Sequence, residues 1–124
     1  MAMLEHGAVN LAVLRGVCSA EPEVRELASG SRLATLSLRV PAEGARSTSV
    51  PVCVWEPPAW IEELEAGDEL VVVGHVRRRF FRTAGAAPGA RVEVVARHVV
   101  RASNGRGARA AISRVRRRLD DLVA

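Results

Sequence analysis

Three stretches of this chain alternate apolar and polar residues with a period of two. Leu36, Leu38 and Val40 alternate with Thr35, Ser37 and Arg39. Val50, Val52 and Val54 alternate with Ser49, Pro51, Cys53 and Trp55. Leu70, Val72, Gly74 and Val76 alternate with Val71, Val73, His75, Arg77, Arg79 and Phe81. Successive side chains of a strand point to opposite faces, so each stretch predicts a strand with its even face in a core.

The segments between them complete an order. Residues 9–17 are short and apolar and end at Glu21-Pro22, which predicts a first strand closed by a turn. Residues 27–31 form a tight turn in which Gly30 takes a positive φ. Pro51 has no N–H to donate, so its strand needs an edge or a bulge there. Pro57-Pro58 opens a short helix on which Trp60, Ile61 and Leu64 recur at helical spacing, with Gly67 as its cap and Glu62, Glu63 and Glu65 in water. Strands over 70–81 and 91–100 flank an Ala- and Gly-rich loop at 82–90. The result is an all-β chain ordered β-β-β-α-β-β, the order of a five-stranded OB-fold barrel with a short helix between strands three and four. Periodicity alone fits other small barrels too, and the helix favours this one. Residues 109–123 then place Ile112, Val115, Leu119 and Leu122 at helical spacing among Arg114, Arg116, Arg117 and Arg118, a basic amphipathic helix.

At 124 residues the chain holds one domain, expected over residues 1–102, followed by a basic C-terminal segment over 103–124. No apolar run approaches the ~20 residues that cross a bilayer, and residues 1–6 carry no signal-peptide pattern. A cytoplasmic protein is expected. Cys18 and Cys53 lack metal-site spacing and predict buried free thiols. No nucleophile–base pair, metal cluster or phosphate-cradling glycine loop is legible, so neither an enzyme nor a cofactor is expected, nor a small-molecule substrate. Every basic residue except histidine is arginine, and the net +4 is unevenly placed. Residues 1–101 hold 12 Arg against 12 Asp plus Glu, while 102–124 hold 6 Arg and 2 Asp.

The ordered motifs resemble the bacterial single-stranded DNA-binding protein family. Asn10-Leu11-Ala12-Val13-Leu14-Arg15-Gly16 with Glu21-Pro22-Glu23-Val24-Arg25 is similar to that family's opening strand and turn. Val52-Cys53-Val54-Trp55, then Leu64-Glu65-Ala66-Gly67-Asp68 with Val71-Val72-Val73-Gly74-His75-Val76-Arg77, resemble its third and fourth strands. Arg91-Val92-Glu93-Val94-Val95-Ala96 resembles its last strand. The resemblance covers residues 9–101. It implies an OB fold, sequence-independent binding of single-stranded DNA in replication, recombination or repair, and a homo-oligomer, dimer or tetramer. The other reading is an OB-fold protein-interaction or primosome-type accessory module with weak nucleic-acid binding.

A single-strand binder sets cations along the phosphates and aromatic faces under the bases. By position, Trp55 and Phe81 match the family's stacking aromatics, and Arg77 and Arg79 its basic strand-four residues. Arg39 and Arg82 complete the expected DNA-binding set. Phe80 falls on the core parity, Trp60 reads as helix packing, and His6, His75 and His98 as structural or surface residues. Leu11, Val13, Val71 and Val73 are outward apolar residues expected to meet another subunit, unless loops or the terminal helix cover them. The family's acidic C-terminal tip has no counterpart here, and the basic helix is expected to dock or to serve assembly.

The aromatics the family carries before Trp55 are Ala42-Glu43-Gly44 and Ser49 in this chain. Stacking contributes about 1–3 kcal/mol per base, so binding is expected to rest heavily on arginine–phosphate contacts. Affinity for oligo-dT, titrated across a series of NaCl concentrations, is expected to be modest and to fall steeply. A tight, salt-insensitive titration contradicts this.

Overall fold

The structure, a computed structural model, describes residues 8–81, 85 and 88–123. Its strands are β1 (Ala12–Cys18), β2 (Glu23–Glu26), β3 (Arg32–Ala42), β4 (Ala45–Trp55), β5 (Glu69–Phe81) and β6 (Gly89–Arg101), followed by helix α1 (Gly105–Val123). They form one sheet in the order β1-β5-β6-β4-β3-β2. A second pairing of β1, with β3 through Val17↔Arg39 and Cys18↔Leu38, closes five of the strands into a barrel. β4 and β6 run parallel through Val52↔Val94 and Cys53↔Val95, and all other pairs are antiparallel. This is the OB architecture. No helix among the described residues is long and apolar enough to cross a membrane.

The even-numbered residues fill the barrel as their alternation requires. Ala34, Leu36, Leu38, Val52, Val54, Leu70, Val72 and Val94 are buried together with Cys18. Pro51 pairs with Ser37 of β3, one residue before the contact with β6 begins at Val52. Its missing N–H therefore leaves no ladder broken. Gly30 has φ +89° in the turn between β2 and β3.

The structure corrects the sequence at four places. The helix expected between β4 and β5 is a five-residue 3-10 turn, Ala59–Glu63. Its bonds run three residues back, from Ile61 N–H to the Pro58 carbonyl and from Leu64 N–H to the Ile61 carbonyl. Pro57 and Pro58 supply no N–H groups, and Leu64 is already extended. The spacing of Ile61 and Leu64 suits a three-residue turn as well as an α-helix, and both plug the barrel, at 0% and 1% exposure. Burial of side chains this size stabilises by about 1.5–3 kcal/mol each.

A second correction is β2, which pairs with β3 outside the closed barrel in a segment read as a turn. Third, Val76 is 44% exposed and Phe80 73% exposed despite their core parity. β1 pairs with β5 only as far as Gly74, so Val76 has no strand beside it on that side. Past the last β4–β6 pair at Val94, β5 and β6 continue as a two-stranded ribbon that carries Phe80. Fourth, Val71 and Val73 are buried on the outer side of the sheet, where α1 docks. Ala111 and Val115 of α1 pack on Val73, Leu11 and Val100.

Two glycines permit the closure. A methyl group on Gly16 would stand 2.5 Å from the Arg39 carbonyl oxygen, where β1 crosses β3. One on Gly74 would collide with the Val95 carbonyl oxygen, at the register shift between β5 and β6. Past Gly74, the Asn10 side chain extends β1 by donating to the Val76 carbonyl at 2.7 Å and accepting from the Val76 N–H at 2.8 Å. Urea unfolding of Gly16→Ala and Gly74→Ala is expected to show losses of about 1–3 kcal/mol each, the range for overpacking. Gly30→Ala, in open space at positive φ, is expected to lose less.

Candidate functional site

Register brings the expected site residues onto one outward face. Thr35 of β3 lies opposite Cys53 of β4, Cys53 beside Val95 of β6, and Val95 opposite His75 of β5. Two residues along β4 from that row is Trp55, 41% exposed. In the opposite direction come Ser37, Pro51, Glu93 and Arg77, then Arg39, Ser49, Arg91 and Arg79, and lastly Phe81 opposite Gly89 on the ribbon. Trp55 and Arg77 share the face without touching. Four residues along a strand and two strands across separate them, about 13 Å by about 10 Å. Arg39 is exposed, Arg79 half-buried. Arg82 lies outside the described residues.

Phe81 is 38% exposed, with its ring laid across Gly89, where any side chain would collide with it. Phe80 points to the opposite side of the ribbon. Alternation alone could not place it there, because parity does not say where the barrel's interior stops.

Between the aromatics lies a group that the sequence reading did not select. Glu93 is 4% exposed, the one buried charged residue among those described. Arg77 Nη2 donates to its Oε2 at 2.5 Å, the Cys53 thiol donates to the same oxygen at 3.3 Å, and Arg79 Nη1 stands 3.9 Å from Oε1. Burial alone would push the Glu93 carboxyl up. The hydrogen bonds from Arg77 and Cys53 and the two guanidinium charges outweigh it and hold the carboxyl below its ordinary range. The Cys53 thiol is pushed up to about 11, by burial first and then by its bond to Glu93. Both thiols, Cys18 and Cys53, are buried and unpaired by disulfide. The signal available in the sequence was the register, since Glu93 sits directly across from Arg77.

The pair lowers the face's net charge. The groove beside it, between β2, β3, β4 and β6, is lined by Arg25, Arg79 and Arg91 but equally by Glu21, Glu23 and Glu93. A polyanion entering it meets cations and carboxylates in equal number. Among the residues expected at a subunit interface, Leu11, Val71 and Val73 lie under or beside α1, while Val13 is 41% exposed and lines a groove with Ile112. Among the described residues, no three His, Cys, Asp or Glu side chains gather as a metal ion would need.

No protein-family model and no curated protein matches the chain. Solved structures do. The single-stranded DNA binding protein from Thermus aquaticus is similar in two crystal structures. A deletion mutant matches with TM-score 0.64 and 27% identity over 80% of this chain. The wild type matches with TM-score 0.63 and 25% identity, also over 80%. The chain spans 44% and 43% of those two chains. The fold is that of these single-stranded DNA binding proteins.

Glu93 generates a pH dependence. Because its carboxyl is held below the ordinary value, the bonds to Arg77 and Cys53 add full stability above the ordinary carboxylate range. That stability drains away as pH falls through the lowered native value. Glu93→Gln is expected to cost about 1–2 kcal/mol at neutral pH, the lower part of the range for charged hydrogen bonds because Arg77 is half-exposed. Thermal melts from pH 7 down to pH 3 should then converge for the two proteins. A constant gap across that range would remove Glu93 as the titrating group.

Proposed function

We propose that this chain, built on the fold of the Thermus aquaticus single-stranded DNA binding protein, binds single-stranded DNA without regard to sequence. The observation that carries the reading is the continuous outward face of β3, β4, β6 and β5, which bears Trp55, Arg39, Arg77, Arg79 and Phe81. Every base has a π-face, so exposed rings at Trp55 and Phe81 bind bases of any identity. Arg39, Arg79 and Arg91 form the row of cations that the phosphates follow, and Arg77 contributes with its charge tempered by Glu93.

In this reading the chain coats exposed strands during replication, recombination or repair in the cytoplasm. It carries out no covalent step and needs no cofactor. Assembly into a homo-oligomer belongs to the same proposal. With Val73 covered, the surface left for a second subunit is Val13 and the adjoining flank of α1. A second reading, an interaction module with weak nucleic-acid binding, is favoured by the equal numbers of Arg and Glu lining the groove.

Trp55 supplies the test. Oligo-dT is expected to quench the tryptophan emission of the wild-type chain. Trp55→Ala combined with Phe81→Ala is expected to weaken binding at least about thirtyfold, taking about 1 kcal/mol or more for each stacking ring removed. Trp60 remains as the reporter that the double variant is folded. Binding equal to wild type by the double variant would sink the stacking site, whereas a wild-type chain that shows no quench with oligo-dT would favour the interaction module.

A further inference from the structure

The barrel face does not account for the charge of the chain. Its groove is balanced, and the net +4 equals the excess of 6 Arg over 2 Asp in residues 102–124. The structure turns one flank of α1 toward Trp55. Between them lies a cleft of about 400 Å³, with Trp55, Arg97 and His98 on the barrel side and Gly107, Ala110 and Arg114 on the helix side. Small residues at 107 and 110 leave the cleft open, and Arg97 and Arg114 are both exposed at its rim. Neither is in an ion pair among the described residues. Arg118 lies one helical turn beyond Arg114 on the same flank, and Arg117 beside it. The helix itself is fixed in place by Ala111 and Val115.

We infer that this cleft and the arginine flank of α1 form a second, phosphate-binding part of the nucleic-acid path, continuous with Trp55. The occupant is the sugar–phosphate backbone of a single strand. A nucleotide stacked on the exposed ring of Trp55 has its neighbouring phosphate within reach of Arg97 and Arg114, and the strand then follows Arg117 and Arg118. Charge complementarity selects this occupant, because the flank offers unpaired guanidinium groups next to a stacking ring and no continuous apolar surface. The inference rests on the proposed single-strand binding. It adds that the tail, more than the barrel, supplies the electrostatic affinity.

The test uses the full chain with Arg97→Gln, Arg114→Gln and Arg118→Gln combined. A reference variant, Arg46→Gln with Arg106→Gln, removes charge at positions that line neither this cleft nor the groove between α1 and β1. All five side chains are exposed, so neither variant disturbs the core. Each protein is titrated with oligo-dT of graded length across NaCl concentrations, by tryptophan quenching. The triple variant is expected to keep the quench at saturation and to occupy fewer nucleotides per chain. Its salt slope should flatten by about 0.7 for each phosphate that is no longer neutralised, so about 2 in all. The reference variant is expected to keep the wild-type footprint.

Three outcomes overturn the inference. In one, the triple variant retains the wild-type slope and footprint while the wild type binds, which sinks the tail path and leaves the barrel site standing. In another, both variants weaken equally, which reduces the effect to bulk charge. In the third, the triple variant changes mass on sizing without changing slope, which assigns the flank to subunit assembly. A wild-type chain that binds no oligo-dT at all would instead sink the proposed function itself.

Discussion

β5 hydrogen-bonds to β1 on one side and to β6 on the other, and at Gly74 it leaves β1 and continues with β6 alone. Both halves of the molecule depend on that strand. Before Gly74 its even residues, Leu70 and Val72, fill the barrel while Val73, on the outer side, packs on α1. Beyond the β4–β6 pairs opposite His75 and Val76 the same strand becomes a ribbon, and Arg77, Arg79 and Phe81, three of the residues proposed to meet DNA, stand on it. Gly74 makes the change possible, since any side chain there would meet the Val95 carbonyl and force the two strands apart.

Much of this was legible in the chain, for a definite physical reason. Period-two alternation reports which side of a strand is dry, so the faces of β3, β4 and the first half of β5 follow from it directly. Alternation does not report how long the dryness lasts. Val76 and Phe80 keep the core parity of Leu70 and Val72 but lie past the last residue that β5 pairs with β1, where that flank of the strand is open. β2 was hidden because Glu23-Val24-Arg25-Glu26 has one apolar residue and becomes a strand only through the free edge of β3. Val71 and Val73 are outward by parity, and their burial depends on a helix more than thirty residues away. Glu93 was missed since a glutamate between two valines reads as a wet position. Its burial comes from Arg77 across the ladder, a tertiary fact.

That carboxylate shapes the electrostatics of the whole face. A buried charge needs a partner, and the partner it takes is one of the arginines on the outward strip. The barrel surface is therefore less cationic than its arginine count suggests. Arg77 gains fixed geometry in exchange for free charge, and Cys53 beneath it stays a neutral thiol across the physiological range. The strongly basic character of the chain is left to α1, which is an appendage to the barrel and not part of its closure.

The Asn10 amide has a mechanical meaning. Beyond Ala12, β1 holds the ribbon through this one side chain, whose two hydrogen bonds to Val76 both form or break with a single torsion. Exposed neutral bonds of this kind stabilise by about 0.5–1.5 kcal/mol each, so the pair contributes only about 1–3 kcal/mol. Asn10 is thus a latch at the seam between barrel and ribbon. When it opens, β5 loses its last hold on β1 past Gly74, while the pairing of β6 with β4 at Val94 and Val95 keeps the base of the ribbon on the barrel.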